Sequence, residues 1–176
     1  MLKILQSKNK ILRKKAALVD QSDIGTKKID RILSAMSQLL SKEADGVAIA
    51  APQIGVTLRI FIISARIFGL GKDENRNKKL SGNLVFINPK IIRRSKKTVW
   101  LDEGCLSVRW QYGKVRRPAK ATVEALDKNG QPFTWNGSGL MAQVFQHEID
   151  HLDGILFTDK AKNLYALKPS DLYGKK

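Results

Sequence analysis

At 176 residues, with 43% hydrophobic and 27% charged residues, the chain has an ordinary soluble composition and suits one domain with a real core, expected to be a monomer. A single cysteine excludes an internal disulfide, and the longest apolar runs, such as GVAIAAPQIGV, are too short to span a bilayer, so a cytoplasmic protein without a membrane partner is expected. The net charge of +16 points to a polyanionic neighbour, nucleic acid or the ribosome, although the cations are scattered and no RNA-recognition or zinc-finger signature accompanies them.

The first nineteen residues are basic but lack the apolar stretch and cleavage site of a secretory signal. From Thr26 to Glu43, Ile29, Ile32, Leu33, Met36, Leu39 and Leu40 recur at helical spacing, and Gly46 is placed to stop that helix. Strands are expected at Leu58 to Ser64, Leu84 to Ile92 and Lys97 to Leu101, with the polar segment GLGKDENRNKKLSG (residues 69–82) as an exposed loop. KATVEAL and QPFTWNG flank DKNG, whose Asn129-Gly130 pair signals a hairpin. A last helix is expected from about Leu140 to Leu152, capped by Ser138 and followed by Gly154. Leu140, Val144, His147 and His151 fall on one of its faces.

The chain's two histidines both lie in that helix, in the sequence HEIDH. Imidazoles at i and i+4 project side by side and can bind one metal ion. Glu148, directly after the first histidine, can reach a water on such an ion without being a ligand, and can take and return its proton. A third ligand is needed. Asp150, Asp153 and Asp159 are near in sequence, but Asp150 points to another helix face and Asp153 lies at the helix end, where it could instead hydrogen-bond an imidazole. Cys105, in EGCLS just after an expected strand, is the remaining soft candidate.

EGCLS at Glu103 to Ser107, QHEIDHLDG at Gln146 to Gly154 and GVAIAAPQ at Gly46 to Gln53 together resemble the three motifs of the peptide deformylase family, in the right order. ILRKKAALV resembles that family's first strand and turn, and INPKI and KVRRP add to the likeness. The resemblance implies an α+β fold with twisted, mostly antiparallel sheets around a central helix carrying HExxH. One catalytic domain over 1–160 and a basic tail over 161–176 are expected. It implies that Cys105, His147 and His151 hold one divalent metal, iron(II) by preference with zinc or nickel as substitutes, and that Glu148 is the acid and base. It further implies that the Gln53 amide and the Leu106 N–H stabilise the oxyanion, and that Glu103 pairs with Arg117, or with Arg116 if the alignment slips by one. Gly46, Val47, Ala48, Gly104 and Val144 are the candidates for lining a methionine pocket.

The reaction implied is removal of the N-formyl group from the formyl-methionine of nascent chains, with the ribosome as a partner through the basic surface. Two departures stand out. Ala48 replaces the second glycine of the first motif, which matters if that glycine allows close approach of substrate and little if φ is negative. Arg109-Trp110 follows EGCLSV where a proline is more usual, and Trp110 either rims the site or covers the core. Two other readings compete, an HExxH metallopeptidase and a basic ribosome-associated protein of weak or lost activity.

Overall fold

The computed structural model describes residues 3–70 and 82–167, except for the side chain of Leu70. Most of the segment read as an exposed loop, 71–81, lies outside the described residues, as do 168–176. Helix α1 runs over Lys27–Lys42 and buries Ile29, Leu33, Met36, Leu39 and Leu40, the stripe its spacing dictates. Gly46 is not its stop. The helix ends through Glu43 in an extended conformation, and the Gly46 N–H donates to the Glu43 carbonyl at 3.2 Å.

Five strands, β1 (Ala48–Ala50), β2 (Ile60–Ile63), β3 (Leu84–Arg94), β6 (Lys120–Leu126) and β7 (Pro132–Ser138), form an antiparallel sheet in the order β1-β2-β3-β6-β7. Three more, β4 (Thr98–Cys105), β5 (Val108–Pro118) and β8 (Lys162–Ala166), form a second antiparallel sheet in the order β4-β5-β8. The run Ile60–Ile63 is buried on both faces because alternate side chains serve two helices. Ile60 and Ile62 pack with α1, whereas Phe61 and Ile63 pack with helix α3 (Gly139–Leu152), the short helix α2 (Ile67–Leu70) following β2. Phe86 stacks on Phe61 at 4.4 Å between ring centroids and meets Phe145 of α3 edge-on at 5.4 Å, fixing the helix against the sheet.

The β6–β7 hairpin closes as its sequence suggests. Asp127 Oδ1 accepts from the Asn129 and Gln131 N–H groups at 2.8 Å each, and Gly130 supplies the positive φ of +79°. After α3, Gly154 takes φ +75°, and a Cβ there would lie 2.7 Å from the Arg13 carbonyl oxygen, so both conformation and space call for glycine.

One expectation is corrected, and two features of the second sheet were not read from the sequence. The N-terminal segment read as a first strand is a 3-10 turn at Lys10–Arg13 and a single parallel bridge, Ala17 to Leu58. β5 carries Arg109, Lys114, Arg116 and Arg117 and has no apolar run, yet it is the centre of the second sheet. Its partner β8 begins at Lys162, so the sheet continues past the boundary expected at residue 160.

Candidate active site

Three segments meet beside α3. β4 ends at Cys105, a 3-10 turn at Ala51–Ile54 follows β1 and carries Gln53, and α3 brings His147, Glu148 and His151. Cys105 Sγ lies 3.1 Å from His151 Nε2, and one ligand atom from each of Cys105, His147 and His151 falls within 4.8 Å of the others. The aspartates weighed as third ligands are occupied elsewhere. Asp150 binds Arg117 at 2.6 Å and Lys160 at 2.6 and 2.7 Å, and Asp159 pairs with Arg13. Asp153 meets Arg59 at 2.7 Å and does not support an imidazole, because the arginine from β2's approach reaches the helix end first.

The electrostatics follow from burial and these contacts. Arg117, 3% exposed, donates to both oxygens of Glu103 at 2.8 and 2.9 Å. Burial pushes the Glu103 carboxyl up, but the hydrogen bonds from Arg117 and His147 win and hold it at about 2. Arg116 turns outward to the Thr98 hydroxyl at 2.8 Å, so Arg117 is the partner of Glu103 and the one-residue slip does not occur. The Glu103 carboxylate accepts from His147 Nδ1 at 3.1 Å, which places the proton on Nδ1 and leaves the other ring nitrogen free to ligate.

Burial raises the Cys105 thiol, but the imidazoles of His151 and His147 outweigh it and hold the group well below its ordinary value. Burial alone would lower His147; its hydrogen bonds to Cys105 and Glu103 push it well above. Glu148 is 4% exposed, and burial raises its carboxyl to about 7 against the pull of the two imidazoles. Its Oε2 and the Nδ1 of His151 have no hydrogen-bond partner among the described residues. A soft sulfur, two imidazoles and an unpartnered buried carboxyl fit a divalent ion held by Cys105, His147 and His151.

Gln53 is 2% exposed and its amide is oriented. Its oxygen accepts from the Ala50 N–H at 2.7 Å, and its NH2 faces Ser107 Oγ at 3.1 Å and Cys105 Sγ at 3.6 Å. Leu106 follows Cys105, with its carbonyl accepting from Gln6 at 3.1 Å. Gly46, Val47, Ala48, Gly104, Leu106 and Val144 all line one cleft of about 310 Å3, together with Gln53, Cys105, His147 and Glu148. Gly104 has a local reason. A Cβ there would lie 2.4 Å from the Tyr112 ring across the β4–β5 ladder, so the strand can carry Cys105 to the site only without a side chain at 104.

Ala48 sits in β1 without a positive φ, so its methyl group strains no backbone. Trp110 rims the cleft, at a φ of +64° that is unusual for so bulky a residue, with the Arg109 guanidinium 5.4 Å from its ring centroid. Arg109 also pairs with Glu43 and Asp45, tying β5 to the connection that leads into Gly46. The contacts of Ser107 to Gln53, of Asp150 to Arg117 and of Arg109 to Glu43 and Asp45 were missed by sequence reasoning, because each joins residues far apart in the chain.

This α+β scaffold and its partly buried Cys-His-His set with an adjacent carboxyl define a metal-dependent hydrolase. The particular family follows from comparison: the polypeptide deformylase model matches residues 1–166, and the chain belongs to that family. Peptide deformylase 2 of Clostridium acetobutylicum is 42% identical over 153 residues, 87% of this chain and 90% of the relative. A peptide deformylase structure from Legionella pneumophila, 37% identical, covers 93% of this chain and 87% of that one with a TM-score of 0.78. The Met-Ala-Ser-bound class I type b peptide deformylase of Acinetobacter baumannii is 30% identical, covering 90% of this chain and 97% of that one, also with a TM-score of 0.78.

Proposed function

We infer that this protein hydrolyses the formamide of an N-formyl-methionyl peptide, releasing formate and the free amine. The observation that carries this is that ligand atoms of Cys105, His147 and His151 lie within 4.8 Å of one another, at the wall of a cleft that Cys105, His147 and the buried carboxyl of Glu148 line. When bound there, a divalent ion supplies Lewis acidity, making a water nucleophilic near neutral pH and polarising the formyl oxygen.

The chain's own groups supply the rest. Glu148, with its carboxyl raised to about 7, takes the proton as the water oxygen bonds to the formyl carbon, and returns it to the amine nitrogen as the C–N bond breaks. The Gln53 NH2 and the Leu106 N–H donate to the formyl oxygen as negative charge builds there, and the Ala50 N–H keeps the Gln53 amide from turning its oxygen inward. Glu103, held ionised by Arg117, keeps His147 in the tautomer that ligates. Val47, Ala48 and Val144, with the backbone of Gly46 and Gly104, receive the methionine side chain.

Iron(II) is the ion the family resemblance implies, and the same donors accept zinc or nickel. The proposal places a monomer with one domain in the cytoplasm, acting on nascent chains at the ribosome through its basic surface. The test is formate release from a short formyl-methionyl peptide by protein loaded anaerobically with iron(II) or nickel. Turnover that vanishes in Glu148→Gln supports the assignment, and properly metallated protein that releases no formate would defeat it.

A further inference from the structure

A second cleft, of about 610 Å3, shares no lining residue with the first. Arg93 and Arg94 from the end of β3, Lys96 from the following turn and Lys120 from the start of β6 line it, and no carboxylate does so among the described residues. We propose that this cleft binds the phosphate backbone of RNA. The choice of RNA among polyanions rests on the reading above, in which the substrate is presented at the ribosome.

The strand pairing builds the cleft. A register shift between Ile91 and Arg93 interrupts the β3–β6 ladder, and beyond it both Arg93 and Arg94 are exposed, where regular alternation would turn one of them inward. Arg93 lies opposite Thr122 and Arg94 opposite Ala121, while Lys120 is paired with Ser138. The cations therefore stand along a three-stranded sheet end and do not converge on one point.

These arginines differ from others in the chain. Arg13, Arg59, Arg66, Arg109, Arg116 and Arg117 each bond a carboxylate, hydroxyl or carbonyl. The side chains of Arg93 and Arg94, adjacent on one strand, and of Lys96 bond nothing among the described residues, as is otherwise true only of Arg31 among the described arginines. Ser138, at the cleft's edge, is the N-cap of α3. Its hydroxyl makes no capping bond and the first turn has no acidic residue, so the positive end of that helix adds to the field.

The shape selects among anions. A concave cleft excludes the flat surface of a bilayer. Its apolar lining is confined to Ala121 and glycine, which gives an acidic peptide no anchor. Spread cations with polar neighbours suit the repeated charge of a nucleic-acid backbone. Ser138 lies nine residues before His147 on the same helix, about 14 Å along its axis, so bound RNA would lie away from the metal-site histidines and near the cleft's rim at Leu140.

The test is fluorescence anisotropy of a labelled RNA hairpin with the metal-loaded full chain. Wild type is compared with Arg93→Gln/Arg94→Gln/Lys96→Gln and with a control of equal charge, Lys8→Gln/Lys14→Gln/Lys15→Gln. Each lost phosphate contact flattens the log–log salt slope by about 0.7–0.9, so three are expected to weaken binding roughly 100- to 500-fold at 0.1 M salt. The control is expected to change it by only a few-fold. Equal losses in both variants, an unchanged salt slope in the cleft variant, or displacement of the hairpin by polyglutamate as readily as by unlabelled RNA would each overturn the proposal. Formate release from a short peptide, read in the same samples, is expected to be alike in all three proteins. It separates failure of the functional reading, in which wild type releases none, from failure of the cleft, which anisotropy decides.

Discussion

Replacing Arg117 with leucine removes a buried cation that joins two carboxylates behind the metal-site histidine. Asp150 keeps its two contacts to Lys160, but Glu103 retains only His147 among the contacts described. Holding the Glu103 carboxyl at about 2 against an ordinary 4.5 is worth roughly 3 kcal/mol, at about 1.4 kcal/mol per pH unit, counted once on the carboxylate side. That agrees with the ~3–5 kcal/mol typical of breaking one side of a buried pair. The native carboxyl titrates below the unfolded one, so this stability is fully present above pH 4.5 and is lost as pH falls towards 2. In Arg117→Leu the uncompensated burial makes Glu103 take up its proton early, so the variant's deficit is largest at neutral pH and shrinks on acidification. Urea denaturation of both proteins without metal, from about pH 7 to about pH 3, reads this directly. A deficit that stays constant with pH would refute the electrostatic argument and leave lost packing as the cause. The same variant weakens the acceptor for His147 Nδ1, and about a 10- to 100-fold loss of metal affinity is expected at neutral pH by competition with a chelator.

Glu148→Gln is expected to bind metal normally and to lose about 10²–10⁴-fold in turnover, measured as formate released. Its metal-free form is expected to be more stable than wild type above pH 7 by up to roughly 3 kcal/mol. The native carboxyl, raised to about 7, binds protons more tightly than the unfolded one, so wild-type stability falls as pH rises from 4.5 to 7. Cys105→Ala removes the sulfur that completes the ligand set and is expected to purify with little metal; unchanged stoichiometry would move the third ligand elsewhere. Gly104→Ala puts a methyl group into the Tyr112 ring and is expected to cost ~1–3 kcal/mol and to lower turnover by shifting Cys105; wild-type activity with wild-type stability would show that the strand yields freely.

Helix α3 could be read from the sequence because two independent signals coincide in it, a 3.6-residue apolar spacing and the HExxH pairing, with Gly154 marking its end. The hairpin at Asp127 to Gln131 and the double burial of Ile60–Ile63 follow from equally local rules. β5 could not be read in this way. Its inward positions include Arg117, and a cation where a strand pattern calls for an apolar side chain erases the alternation. Gly46 marked a helix stop by composition, whereas the chain leaves α1 three residues earlier and uses this glycine in the cleft wall. An imidazole is a partner the sequence offers Asp153 because sequence neighbours are the only neighbours it shows; the partner in the fold, Arg59, lies 94 residues away.

Arg117, Glu103, Glu148 and Gln53 are each buried and polar, against the rule that sorts side chains by polarity. Each is tolerated because a specific group answers it. Arg117 answers Glu103, the Ala50 N–H and Ser107 answer Gln53, and the imidazoles of His147 and His151 draw Glu148 towards its ionised form although burial and the Cys105 sulfur outweigh them. Glu148 is the exception in one respect, since its Oε2 has no partner among the described residues. A buried carboxyl oxygen left unpaired costs stability unless a ligand or water meets it, so the fold carries this cost at the position where the proposed reaction moves a proton. Ala48 lies outside that network, in an unstrained strand, so the departure from the family motif leaves every one of these contacts in place.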